Sequence, residues 1–100
     1  MVCNIEGVIS HIRQHLVEKT GNQEYSALPV ICGTVPTNSI QYCQQIEQSL
    51  FLLEKEDHHF HVIPVNDATF IGDQLHFDRA TAERFGQEMY NKILDLCRIR

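Results

Sequence analysis

Asp73 and His76 are spaced so that a single turn of chain can bring a carboxylate to an imidazole. The segment Asp73-Gln74-Leu75-His76 follows Gly72 and runs into Asp78, a residue suited to cap a helix. A carboxylate on Nδ1 fixes the ring tautomer, leaves Nε2 able to take a proton from a hydroxyl, and stabilises the imidazolium that forms. Such a histidine serves first as general base and then as general acid. Spacing alone also fits a solvated loop in which an Asp and a His fall close together by chance.

Other residues are weaker as chemistry. His58, His59 and His61 crowd the start of an apolar run, but alternate strand residues share a face and no Cys or carboxylate completes a metal set. The hydrated start of a strand accounts for them. His11 and His15 stand four apart on a helical pattern without a third ligand, so they read as an exposed helix face. Thr34-Val35-Pro36-Thr37 follows the C-terminal end of a strand, where open parallel sheets place ligands; it lines a groove or is an ordinary loop. Ser10, Ser26, Ser39 and Ser49 fall in a helix, a loop, a helix start and a helix, so none has the strand-to-turn setting of an activated serine. Neither a metal nor a cofactor site is expected.

The elements that must carry these residues follow from hydrophobic spacing. Ile5, Val8, Ile9, Ile12 and Leu16 predict a helix over about 4–19, capped by Asn4 and ended by Thr20-Gly21-Asn22. Leu28–Gly33 is a short apolar run suited to a strand buried on both faces, with Pro29 tolerated at its start. Ile40, Cys43, Ile46 or Glu47, Leu50 and Leu53 predict a second helix that dies in Glu54–Asp57. Phe60–Val65 predicts a second strand, and residues 66–77 a polar loop. Asp78 then caps a last helix with Phe85, Met89, Ile93 and Leu96 on one side.

Helices alternating with short apolar strands indicate an α/β fold, a few parallel strands flanked by three helices in one domain over 1–100. Two strands are too little sheet for three amphipathic helices. A third strand within Asp67–Ile71, or another chain, must complete it. The Leu28–Gly33 strand is accordingly expected to offer an open edge, and that edge or the adjoining apolar helix faces to drive self-association, most simply as a two-fold dimer.

Hydrophobic residues at 43% and charged residues at 21% place the chain among ordinary globular domains rather than disordered ones. A net charge of −5 leaves no basic face to neutralise phosphates, which argues against nucleic acid and anionic membrane as partners. No run approaches the roughly 18 apolar residues of a membrane span, and no signal peptide is visible. Cys3, Cys32, Cys43 and Cys97 are scattered, as free thiols of a reducing compartment would be, so a cytoplasmic location is expected.

The stretch from Ile71 to Met89, with Gly72-Asp73-Gln74-Leu75-His76-Phe77-Asp78 followed by a helix carrying Gly86, resembles the last block of the SGNH (GDSL-type) hydrolases. Its sialate O-acetylesterase and carbohydrate-esterase branch is the most similar. Ile12-Arg13 in an amphipathic helix, Leu28-Pro29-Val30 opening a strand, and the glutamines Gln41, Gln44, Gln45 and Gln48 extend the resemblance over residues 5–95. It implies a three-layer α/β/α flavodoxin-like fold of which this chain is the C-terminal portion. It also implies a carboxylic ester hydrolase acting on an acylated carbohydrate, with Asp73 orienting His76. The family's Gly-Asp-Ser block and its oxyanion-hole blocks have no counterpart here. The isolated chain is therefore expected to be inactive unless a complementing N-terminal chain or an upstream segment supplies the nucleophile. The alternative is a non-catalytic remnant or interaction module on the same scaffold.

Overall fold

The computed structural model describes residues 3–65, 68–73 and 75–98. Helix α1 spans Cys3–Thr20, strand β1 Val30–Gly33, helix α2 Gln44–Glu56, strand β2 Phe60–Ile63 and helix α3 Arg79–Arg98, with a 3-10 turn at Gln23–Ala27. The architecture is mixed α/β: three helices and a two-stranded parallel sheet. The Val30 N–H donates to the His59 carbonyl at 2.8 Å and the Thr34 N–H to the Ile63 carbonyl at 3.1 Å. Both pairs have the same sequence offset, which only parallel strands can keep. The chain forms two compact units, one up to Cys32 plus Gln45–Val62, the other Gly33–Gln44 plus the chain from Ile63 onward.

In the first unit, Ile9 of α1, Leu50 of α2, and Phe60 and Val62 of β2 form a buried cluster against which Val30, Cys32, Phe51 and Leu53 pack. Val30 and Cys32, like Phe60 and Val62, are alternate residues and so share one face of their strands. Helix α1 stops where Gly21 takes φ 70° and its N–H returns to the Val17 carbonyl at 2.8 Å. Asn22 then starts the 3-10 turn by accepting the Glu24 N–H at 2.9 Å, a short element that hydrophobic spacing does not announce. The inward positions of α1 are Ile9, Arg13 and Leu16, whereas Ile5, Val8 and Ile12 form a second, exposed stripe.

Arg13 ties the starts of the two strands together. Its Nε and Nη2 donate to the Leu28 carbonyl at 3.0 and 2.8 Å, Nη2 reaches the His59 carbonyl at 3.3 Å, and Nη1 pairs with Asp57 at 2.7 Å. Leu28 and His59 lie just before β1 and β2, so one planar donor set fixes where both strands begin. Glu54 of α2 accepts the Val62 N–H at 2.6 Å, which engages a backbone donor of β2 with a side chain.

In the second unit, buried Thr34 accepts the Val65 N–H on its hydroxyl at 2.8 Å, and Asn38 Nδ2 donates to the Ala68 carbonyl at 2.8 Å. Helix α2 begins later than its apolar spacing predicts. Pro36 and Ser39 close successive turns, Ser39 N–H to Pro36 O at 3.0 Å and Tyr42 N–H to Ser39 O at 3.2 Å, so Ile40 is exposed in a turn and Cys43 precedes the helix. β2 ends at Ile63 rather than Val65, because Pro64 cannot donate to a ladder.

Asp78 caps α3, accepting the Thr81 N–H at 3.0 Å on its side chain and the Ala82 N–H at 3.0 Å on its carbonyl. The less exposed side of α3 runs through Thr81, Phe85, Met89, Lys92 and Leu96, with Ile93 exposed; over two turns the 3.6 period favours a spacing of seven. Phe85 lies against Gly33, where a Cβ would meet its ring at 2.6 Å. The third-strand expectation is met only by a single antiparallel bridge, Phe70 to Phe77, among the described residues; Asp67 lies outside them. No helix among the described residues is long and apolar enough to cross a membrane. Cys32, Cys43 and Cys97 form no disulfide among the described residues, and burial pushes the Cys32 thiol up.

Candidate functional site

The loop after β2 folds back on itself as a small hairpin. The Asp78 N–H donates to the Thr69 carbonyl at 2.9 Å, Phe70 and Phe77 bridge, and the Ile71 N–H donates to the His76 carbonyl at 3.2 Å. The Phe70 and Phe77 rings approach to 6.0 Å between centroids, adding an apolar contact across the stem. Gly72, at φ 120°, opens the turn in a conformation L side chains rarely take; Gln74, within that turn, lies outside the described residues.

The turn delivers the pair that the spacing predicts. One carboxylate oxygen of Asp73 accepts the backbone N–H groups of Leu75 and His76, both at 2.9 Å. The other oxygen meets His76 Nδ1 at 2.5 Å. Three hydrogen bonds to the charged form favour it, so the Asp73 carboxyl is held far below the usual carboxylate range. The His76 side-chain contact is the largest cause, followed by the two backbone donors. An ionised carboxylate only accepts, so Nδ1 carries the proton, and in the neutral ring Nε2 holds the lone pair. His76 is 69% exposed and Asp73 40%, which leaves Nε2 open to a reactant.

The stem is tied to the start of α3. The hydroxyl of Thr81, a residue 2% exposed, accepts the Thr69 N–H at 2.8 Å and lies 3.0 Å from the Thr69 hydroxyl. Hydrogen bonds from the Thr69 side chain and then the Thr81 backbone hold the Asp78 carboxyl below its ordinary range.

Several of the remaining sequence candidates make contacts of their own. Thr34 is buried with its hydroxyl occupied by Val65, so it offers nothing to a ligand. His11 and His15 stack with centroids 6.4 Å apart on exposed α1, and no group of three metal-ligating side chains forms among the described residues. Ser26 donates to Gln23 and Ser49 to Gln45 within their own elements, at 2.8 and 2.7 Å. Ser39 accepts the Gln41 N–H at 3.1 Å in a turn, not at a helix start. No hydrogen bond among the described residues joins a serine to His76. Hydrophobic spacing does not single out Thr69 or Thr81. The available signal was a threonine at an inward position of a helix whose other inward positions are mostly apolar.

No family model, curated protein or solved structure matches this chain.

Proposed function

We propose that this chain carries the acid–base half of an SGNH-type carbohydrate-esterase site, as the C-terminal portion of a flavodoxin-like domain. The observation that carries the reading is the Asp73–His76 contact at 2.5 Å, in a turn that follows a parallel strand and leads straight into the Asp78 cap. Open parallel sheets bind ligands beyond the C-terminal ends of their strands, where this turn lies in the chain order. In the reaction His76 Nε2 takes the proton of an attacking hydroxyl, and Asp73 stabilises the imidazolium. His76 then returns the proton to the sugar oxygen as it leaves. The hydroxyl and the oxyanion donors come from a complementing N-terminal segment, which also completes the two-stranded sheet.

The test is co-production of this chain with a segment carrying a Gly-Asp-Ser-type block from the same gene region. Acetate release from an O-acetylated sugar is expected only from the pair. It should be lost in His76→Ala and reduced on the order of 10⁴-fold in Asp73→Asn, as in Ser-His-Asp enzymes whose orienting carboxylate is removed. Absence of such a segment, or turnover indifferent to His76, overturns the reading.

A non-catalytic interaction module is the second reading. It is supported by the exposed stripe Ile5, Val8 and Ile12 of α1 and by a groove of about 230 Å³ lined by Ile5, Leu50, Leu52 and Leu53. Under it the His76→Ala chain keeps every partner that the unaltered chain captures, and an Ile12→Glu chain loses them.

A further inference from the structure

The Asp73–His76 pair is exposed, and an exposed ion pair holds its geometry poorly by itself, because water competes for both partners. Its order must come from the hairpin. Yet a two-stranded hairpin is marginal in water, and this one closes through a 3.2 Å bond, a 2.9 Å bond and one pair of rings. Its stem is joined to the start of α3 by the Thr69–Thr81 contact and by the Asp78 cap.

We infer that Thr81 is a positioning residue for the dyad: its buried hydroxyl anchors the Thr69 end of the stem and thereby holds Asp73 on His76 Nδ1. This deepens the esterase reading, but it rests on the geometry of the same loop. The hydroxyl receives the Thr69 N–H at 2.8 Å while its own backbone N–H is fixed by Asp78 at 3.0 Å. Asp78 in turn donates its N–H to the Thr69 carbonyl at 2.9 Å. Thr69, Asp78 and Thr81 thus form a closed ring of hydrogen bonds at the base of the stem. An aliphatic residue of the same size at position 81 fills the space, leaves the Thr69 N–H and hydroxyl without that partner, and loosens the base of the stem, which then keeps only its bonds to Asp78.

Thr81→Val and Thr81→Ser are followed in the full chain by the His76 Nδ1–H proton resonance and the carboxyl carbon titration of Asp73, with Asp73→Asn as the reference for the resonance alone. In Thr81→Val the Nδ1–H line is expected to broaden or vanish, as is expected of Asp73→Asn. The Asp73 midpoint should rise toward that of an unpartnered carboxyl. Thr81→Ser, which keeps the oxygen, restores both. Denaturant unfolding is measured alongside. A folded Thr81→Val chain that loses stability but retains the Nδ1–H line and the low Asp73 midpoint overturns the inference. Should Thr81→Val fail to fold, Thr81→Ala decides, since it removes the same hydroxyl without placing a methyl group where that oxygen stood: an unchanged Asp73 midpoint there overturns it equally. Neither readout needs turnover. A pair coupled through Thr81 but silent with the complementing segment would sink the esterase reading alone.

Discussion

Asp57 meets Arg13 in the first unit, and Asp73 meets His76 in the second, in two quite different settings. Arg13 and Asp57 are 12% and 22% exposed, and the guanidinium also serves two backbone carbonyls where the strands begin. His76 and Asp73 are 69% and 40% exposed, and the imidazole keeps one nitrogen open. The first pair has its donors directed into protein, so it fixes the fold and leaves little to react. In the second the carboxylate engages only Nδ1 of the ring, so Nε2 can exchange a proton with an incoming group. Similar partners give a structural lock or a reactive group according to how many of their bonding positions the fold occupies.

Phe60→Ala removes the side chain of a residue 1% exposed in the first unit. It should cost about 3–5 kcal/mol through lost transfer energy and a cavity, read as a fall in the denaturant midpoint. Arg13→Ala follows. It leaves Asp57 and the Leu28 and His59 carbonyls without their partner, at roughly 2–3 kcal/mol, somewhat under a fully buried pair because both groups keep some solvent. A loss below the scatter of the unfolding curves would mean the starts of the strands are held by something else.

Gly72→Ala acts on the other side of the comparison. A Cβ at φ 120° meets no neighbour but strains the backbone by about 1–3 kcal/mol. The strain should open the hairpin rather than the whole unit. Faster amide exchange at Leu75 and His76, with the global midpoint almost unmoved, is the expected result.

Asp73→Asn should change the global midpoint least of all, yet abolish the coupling to His76. Its signature is in acid. Asp57, Asp73 and Asp78 all have folded-state carboxyls below the ordinary range. In Asp57, burial pushes upward, but the Arg13 and His59 contacts outweigh it. A lowered folded value means the stabilisation is complete above the unfolded value of about 3.9 and is lost as pH falls through the lower folded values. Stability should therefore decline below about pH 4. Asp73→Asn flattens the lowest part of that decline, since its carboxyl is held down furthest. An acid limb identical in the two proteins would show that the exposed pair is not formed in solution.

Much of this was legible in the chain. The Asn4–Lys19 pattern, the Asp78 cap and the two apolar runs gave elements that the structure reproduces to within a few residues. The start of α2 was not legible, because Ile40 and Cys43 continue a helical spacing that Pro36 and Ser39 interrupt through turn hydrogen bonds. Nor was the inward side of α1. Five apolar residues within one helix define two stripes, and Arg13, polar in any periodicity count, takes an inward place because it satisfies three oxygens there.

By itself the sequence determined the alternation of helices and strands, the acidic net charge, and the turn that can bring Asp73 to His76, because these depend on composition and on residues close along the chain. Only the tertiary structure decided that Arg13 locks the starts of both strands, that Glu54 engages β2 and that Thr81 grounds the hairpin. Those bonds join residues 8 to 46 positions apart. Whether they form depends on where the backbone carries each group, which no local spacing encodes.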